Sequence, residues 1–578
     1  MKGHLLCAAV LSSALVLSAQ PRLRSENPVV NGASYSPLIA PGSIFVVFGT
    51  NLAGADVVQA TRLPLETTLA GVSIRFTPRA GGNPIDCFMV YTTQNQIAGL
   101  LPSTAAPGEY NVTVTYNNQT SAPGLARVIA RSIGIVSADA SGAGQAQAQI
   151  YYSATEWALN RFSLGRLGQF NTAVARPGET LVLWGTGLGA DAASDREGGT
   201  SGDRTAAAQV RIRIGEQEYT PLYSGRASQL PGTDQFNFVL RDDVPTGCSV
   251  PVQVVAQGTA SNVVTLAIAP RGETVCRHPF LSAERLRQLS EGGSIVMGFF
   301  SIGRSTTSLT IPGLGTLDQT AESVGGSFDR YTVGNLGAFG DYGGDYRELI
   351  GRCAVARFRG EEPEIGYRPL TPLDAGNPLR LNGPNANNVA VERRAENNYY
   401  YKSLYESGIP GFPGGGGTPV LAAGTYRLTG PGGADIGPFE ASVTVPAPFV
   451  WTNRDGISNI TRSQGLALTW SGGAGVMIIS GVSARRVGGT DDNPDYDGAA
   501  FVCFANAGAG NFTVPASILN QLPESGDVMT GAGLGFLFLS NSGPVEGGRF
   551  NAPLRAGGQT EYAVFEYDIS SSKMVNYR

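Results

Sequence analysis

Histidine is nearly missing from this chain: only His4 and His278 occur in 578 residues. A Ser-His-Asp or Cys-His nucleophilic machine would have to be built on one of them, and multi-histidine metal sites are excluded. No Gly-x-Ser-x-Gly elbow occurs either. Charge is sparse, with Asp, Glu, Lys and Arg at 15% and a formal net charge of −5. No basic stripe forms, so nucleic acid is not an expected partner. Cysteine is rare and scattered, as Cys7, Cys87, Cys248, Cys276, Cys353 and Cys503, so CxxC zinc pairs are absent. Beyond the first twenty residues no apolar run is long enough for a membrane-spanning helix.

The N-terminus has the make-up of an export signal over residues 1–19. Lys2 supplies the positive end, Leu5 to Leu17 the apolar stretch, and Ser18 and Ala19 the small residues before polar Gln20. The expected location is secreted or at the cell surface, where disulfides are permitted. Cys7 would leave with the signal.

Glycine (78) and proline (35) are abundant beside a 42% hydrophobic fraction. Disorder would need low hydrophobicity and high net charge. Short apolar runs between Gly, Pro and Asn turns instead mark sandwiches or barrels. A chain this long predicts roughly three to five domains.

The most informative feature is a duplication. Ala40-Pro41-Gly42-Ser43-Ile44-Phe45-Val46-Val47-Phe48-Gly49-Thr50-Asn51-Leu52 recurs as Arg176-Pro177-Gly178-Glu179-Thr180-Leu181-Val182-Leu183-Trp184-Gly185-Thr186-Gly187-Leu188. Asn95 to Pro102 is answered by Asp234 to Leu240, and Pro107 to Val114 by Gly247 to Val254, in the same order. Pro-Gly turns the chain into a strand, since Pro fixes φ and Gly accepts positive φ. The apolar run is a core strand, and Gly-Thr-Asn/Gly-Leu breaks it. Alternation over Tyr110 to Tyr116 turns one face inward. Each repeat has the size of a sandwich, about a hundred residues.

These motifs resemble the immunoglobulin-like modules of the IPT/TIG type. More closely, residues 27–270 resemble a duplicated unit of an uncharacterised family of secreted bacterial proteins. Val30 to Tyr35, the two Pro-Gly strands, Asp234-Gln235-Phe236-Asn237 and Val244 to Pro251 carry the likeness. The resemblance implies a fold and an exported address, and no site residues.

The expected architecture is therefore all-β, in tandem immunoglobulin-like sandwiches: module 1 at 27–135, module 2 at 145–270, a β-rich module 3 at 275–446 and a sandwich module 4 at 448–578. A short helix is predicted near 282–290, capped by Ser282 with Leu286 and Leu289 inward. Cys248 starts a hairpin strand and Cys276 lies beyond its return partner, so that pair is the favoured disulfide. Cys353–Cys503 is a second pair, and Cys87 is left over.

Asp491, Asn493, Asp495 and Asp497 form the best cation candidate, since alternating oxygen ligands suit calcium. Tyr496 replaces the turn glycine and Val502 the bidentate Glu, so the bland alternative, a solvated acidic turn, is favoured. Gly185-Thr186-Gly187-Leu188-Gly189 imitates a dinucleotide loop but lacks the third glycine and a following helix. Tyr399-Tyr400-Tyr401 could meet a sugar, although a packed strand is the simpler expectation. Ser-x-x-Lys at Ser570 to Lys573 is read as coincidence. No catalytic constellation emerges, and no cofactor other than calcium. The expected function is non-catalytic binding or adhesion to a glycan or protein surface. The alternatives are a self-associating envelope protein and a carbohydrate-active enzyme with a carboxylate pair.

Overall fold

A computed structural model of the chain describes residues 20–25, 27–193, 195–215, 217–311, 315–334, 336, 350–351, 353–360, 370, 372–407, 418–489, 494–525, 533–543 and 545–578. The expected signal segment lies outside them. The protein is all-β and built of immunoglobulin-like sandwich modules; among the described residues the α-helical segments are Ala283–Ser290 and Ala516–Leu519. It divides into two compact units.

The first unit comprises the described residues up to Ser132, with those of Thr186–Gly202 and Gly225–Asp234. One of its sheets runs Arg22–Leu23, Ile44–Thr50, Gln96–Leu100, Phe88–Thr92, Val58–Gln59, and the other Leu38–Ile39, Gly124–Val128, Gly108–Tyr116, Val72–Pro78, Ile85–Asp86. Phe45, Val47 and Ile97 meet Phe76, Val112 and Val114 between the sheets. Gly42, at φ +68°, makes the turn into Ile44–Thr50. Tyr110, Val112 and Val114 point inward while Asn111 is exposed, as the alternation predicts. Asn31 Oδ1 accepts from the amides of Ala33 (2.8 Å) and Ser34 (3.0 Å), which folds the Val30–Tyr35 motif into a side-chain-closed turn.

Residues 186–202 and 225–234, expected in module 2, thus belong to the first unit. Polar side chains fix them there. Thr186 Oγ1 donates to Gly232 O (2.6 Å) and accepts from Ile44 N (2.9 Å). Asp195 accepts from Ser103 N (2.9 Å) and Oγ (2.6 Å).

The second unit comprises Ile133–Gly185, Asp203–Ser224 and Gln235–Arg578. The second repeat contributes Gly165–Leu167, Phe170–Ala173, Trp157–Asn160, Ala148–Tyr151 and Thr180–Thr186 as consecutive neighbours in one sheet. Gln217–Tyr219, Val210–Ile214 and Gly247–Ala256 are consecutive in the other. The helix Ala283–Ser290 forms as expected: Ser282 Oγ accepts from Arg285 N (3.3 Å), and Leu286 and Leu289 are buried. They pack with Cys248, Cys276, Met297, Tyr562 and Val564.

The expected boundary at 446–448 separates neither sheets nor cores. One 12-stranded sheet runs Cys353–Gly360, Pro494–Asn506, Val476–Gly489, Gly533–Ser542, Tyr562–Met574, Ile295–Ile311, Gly315–Tyr331, Tyr400–Glu406, Ala386–Arg393, Leu379–Gly383, Gly424–Gly430, Phe439–Val445. Its core mixes Phe300, Phe328 and Phe439 with Phe501, Leu537 and Phe565. The joint is a parallel pairing of Ile295–Ile311 with Tyr562–Met574. Thr307 and Ser572, 265 residues apart, meet across it, and no local turn chemistry announces so distant a partner.

Candidate functional site

The feature that stands out from a plain sandwich lies on the second repeat. Ala148–Tyr151 and Trp157–Asn160 form a hairpin, closed where Glu156 O accepts from Tyr152 N (3.1 Å) and Ser153 N (2.9 Å). Side chains alternate across a strand, so Ile150 and Ala158 turn to the buried side while Tyr151 and Trp157, directly opposite each other, turn to the other face. Phe170–Ala173 adds in parallel beside Trp157–Asn160, with Leu159 opposite Thr172. That register sets Phe170 beside Trp157. Gly165–Leu167 completes the group, with Leu167 opposite Phe170 across a turn through Gly168 at φ +59°.

The result is a row across four neighbouring strands: Tyr151, Trp157, Phe170, Leu167. The Trp157 and Phe170 ring centroids are 5.6 Å apart with planes inclined by 32°. Tyr151 is 45% and Phe170 41% exposed. Single exposed apolar side chains need no explanation, but contiguous aromatics on one sheet face form a patch of the kind that binds. Thr180 stands opposite Tyr151 on the next strand and puts a hydroxyl at that end of the row.

Farther along the same face the outer surface becomes buried. Arg161, 2% exposed, donates from Nη1 to Asn160 O (2.7 Å) and from Nη2 to Gln147 Oε1 (2.8 Å). Burial lowers its guanidinium to about 10. These neutral acceptors anchor the inner end of the hairpin whose tip carries Tyr151 and Trp157.

The residues singled out in the sequence are placed as follows. Cys248–Cys276 and Cys353–Cys503 are disulfides, with Cα separations of 5.1 and 4.0 Å. Cys353 and Cys503 are directly opposite, and their bond staples Cys353–Gly360, a strand at the sheet's edge, to its neighbour. Cys87 is a free, buried thiol that burial, then Asp86, pushes up. Asp491 and Asn493 lie outside the described residues. Asp495 and Asp497 fall on the strand Pro494–Asn506, and Asp497 pairs with Arg485 opposite it at 3.4 Å. Among the described residues no group of three or more His, Cys, Asp or Glu side chains could hold a metal ion.

Tyr400 is fully buried, its hydroxyl accepting from Ala375 N (2.9 Å), and the Arg394 guanidinium lies 4.0 Å from the Tyr401 ring centroid. That stretch is a packed strand. His278 stands edge-on to Phe280, its Nδ1 accepts from Leu281 N (3.3 Å), and burial lowers the imidazole to about 4. The imidazole is thus engaged in packing and turn closure.

One carboxylate pair lies outside the sequence motifs. Glu566 and Asp568 project from the same face of Tyr562–Met574. Burial pushes Glu566 up to about 7, helped by the Asp568 carboxylate. Asp568 is exposed, so water screens it; Oε2 of Glu566 is buried without a hydrogen-bond partner. The two sit side by side on one strand. Glycoside hydrolysis needs two carboxyls flanking the scissile bond.

No family model matches the chain, and no curated protein matches it. Similar solved structures include SGBP-B of the Bacteroides ovatus mixed-linkage glucan utilization locus with a mixed-linkage heptasaccharide. It is 11% identical over 67% of each chain, at TM-score 0.21. SGBP-B from a complex xyloglucan utilization locus in Bacteroides uniformis is 10% identical over 67% of this chain and 86% of that one, at TM-score 0.14. The N-terminal eight Ig domains of Down Syndrome Cell Adhesion Molecule are 8% identical over 94% and 47%, at TM-score 0.13. At such scores the likeness carries no argument about function.

Tyr151, Trp157 and Phe170 lie outside the sequence motifs considered above. A signal is present for two of them: Tyr151 and Trp157 flank the polar turn Ser153-Ala154-Thr155-Glu156 and adjoin Ile150 and Ala158, which face the other way.

Proposed function

We propose that this is an exported, non-catalytic binding protein that holds a carbohydrate on the row Tyr151, Trp157, Phe170. The supporting observation is that the row is aromatic, with Tyr151 and Phe170 exposed and Trp157 half-buried between them, and is set on paired strands rather than a loose loop. The face of an aromatic ring is the negative side of its quadrupole. It attracts the weakly positive C–H groups on the apolar face of a sugar ring. Rings already held by the sheet lose little freedom when a ligand arrives. Ring contacts of this kind contribute about 1 kcal/mol each, so three give weak to moderate affinity, which suits adhesion. The packed state of His278 supports binding over nucleophilic catalysis.

The test is a glycan array followed by calorimetry on the chain from Gln20 to Arg578 and on a variant carrying Tyr151→Ala, Trp157→Ala and Phe170→Ala. The expected result is binding by the parent and at least tenfold loss in the variant, with an unchanged melting temperature. Equal binding by both would remove the row from the site. A parent that binds no glycan but forms oligomers, lost in the variant, would move the assignment to self-association.

A further inference from the structure

We infer that the glycan taken by this row is a neutral, extended chain of equatorially linked sugars lying across the strands; this rests on reading the row as a carbohydrate surface. The direction comes from the register. Leu167, Phe170, Trp157 and Tyr151 occupy one line perpendicular to four consecutive strands. Strands are spaced at about 4.8 Å, so the line is about 14 Å long and offers roughly one contact per strand, enough for three or four sugar rings. Equatorial linkages keep a hexose chain extended as a ribbon, with successive apolar faces available at a regular rise. Axial linkages coil the chain, which leaves one or two rings able to touch a straight row. Adjacent strands of a twisted sheet turn by about 20–25°, and the Trp157 and Phe170 ring planes are inclined to each other by 32°. A ribbon follows such a turn with small torsional changes.

The charge pattern selects neutrality. No residue of the row is charged. Beside the Tyr151 end, Arg176 is held by Glu179 at 2.8 Å. At the other end Arg166 adjoins Leu167 but, by alternation, points to the opposite face with Asn171. The exposed Glu156 next to Trp157 adds negative charge. Beyond Leu167, Glu291 stands against Gly165 and pairs with Arg287 at 3.4 Å. Among the described residues Arg176 and Arg287 are thus paired, and a polyanionic chain meets the carboxylates of Glu156 and Glu291.

The experiment is affinity electrophoresis and calorimetry of the Gln20–Arg578 chain with four soluble polymers. These are hydroxyethyl cellulose (equatorially linked ribbon, neutral), carboxymethyl cellulose (equatorially linked ribbon, anionic), soluble starch (coiled, neutral) and polygalacturonate (axially linked and buckled, anionic). The inference expects hydroxyethyl cellulose to bind best, starch at least tenfold more weakly, and both anionic polymers no better than starch. Affinity should change less than twofold between about 50 and about 500 mM salt, because no ion pair contributes. With oligosaccharides it should rise to about four units and then level off. Trp157→Phe should keep most of the binding and Trp157→Ala should lose it. Starch binding as tightly as the cellulose derivative, or salt-sensitive preference for an anionic polymer, overturns the ligand class. If the triple variant abolishes that binding, the carbohydrate reading itself survives. Binding to none of the four, with a blank glycan array, overturns both.

Discussion

Arg226 and Asp234 form an ion pair in which neither side chain reaches solvent. Both partners are bonded further: Arg226 Nη2 donates to Gly189 O (3.0 Å) and to Gly42 O, and Asp234 Oδ2 accepts from Leu188 N (2.7 Å). One bonded acceptor is the first Pro-Gly turn, and the other bonds go to the Gly-Leu-Gly break of the second repeat. Removing one member of a buried pair leaves an uncompensated charge and costs about 3–5 kcal/mol. Arg226→Met should therefore lower the first unfolding transition seen by calorimetry by much more than Arg75→Met, which breaks an exposed pair with Asp86 worth about 0–1 kcal/mol. The double replacement Arg226→Met with Asp234→Leu should recover part of the loss. Equal shifts for the two single variants would mean the buried pair is not a lock.

Glu566 gives a pH dependence with a definite sign. Its folded-state acid lies at about 7, above the ordinary 4.5. A raised acid binds its proton more tightly in the folded state. The stabilisation is complete below the unfolded value and is lost as pH rises from about 4.5 through about 7. Glu566→Gln, which keeps the neutral form at every pH, should match the parent at pH 4 and melt higher at pH 8, by up to about 3 kcal/mol. His278 works on the acid side. Its imidazole is lowered from 6.5 to about 4, so its neutral form stabilises the fold above pH 6.5 and that contribution fades toward pH 4. Melting scans from pH 4 to 8 on the parent, Glu566→Gln and His278→Phe separate the two; a pH-independent difference for Glu566→Gln would contradict its burial.

What the sequence made legible follows from the range of the forces involved. Pro41-Gly42 and Pro177-Gly178 are local turn chemistry, so the two strands they introduce could be placed. Ser282, Leu286 and Leu289 are equally local and gave the helix. The late sheet depends on Ile295–Ile311 finding Tyr562–Met574, a pairing set by burial rather than by any neighbouring residue, so a module boundary drawn at 446–448 had nothing to warn against it. Likewise Tyr151 and Trp157 could be seen to alternate with Ile150 and Ala158, but not that their side of the sheet stays open. Exposure depends on what the rest of the chain covers. Glu566, in an alternating strand with outward polar residues, gave no sign of being submerged.

The cysteines make a prediction about reactivity. Cys248–Cys276 closes a separation of 28 residues and Cys353–Cys503 one of 150. In the chain-entropy account each should contribute about 3–5 kcal/mol, the longer more. Reduction should lower the melting temperature. Replacing both residues of one pair by Ser should give a smaller drop for Cys248–Cys276 than for Cys353–Cys503. Thiol titration of the unreduced Gln20–Arg578 chain should find no reactive group when folded and one after denaturation, since Cys87 is buried and its thiolate disfavoured. Two or more thiols after denaturation would mean that a disulfide is missing.

Gly187 decides what the glycine run after the second apolar strand is for. A Cβ at this position would stand 1.7 Å from Ser132 O, with φ at +99°. Both the space and the backbone angle therefore require glycine. In a nucleotide loop glycines serve a different end, which is to let phosphate oxygens approach the backbone. Here the approach is already made by a carbonyl of the same compact unit, and Leu188 N, the next amide, is spent on Asp234 Oδ2 at 2.7 Å. Gly187→Ala should therefore be among the more damaging single changes, beyond the roughly 1–3 kcal/mol of a strained backbone alone. Gly202→Ala is the control, because its φ of +88° is similar but no atom lies within 4 Å of the added Cβ. A large difference between the two melting temperatures, together with no shift of the parent on adding ATP or NAD, would assign the run to packing. A nucleotide-dependent rise in the parent's melting temperature would reverse that assignment, because it would require the Leu188 amide to exchange its carboxylate partner for a phosphate.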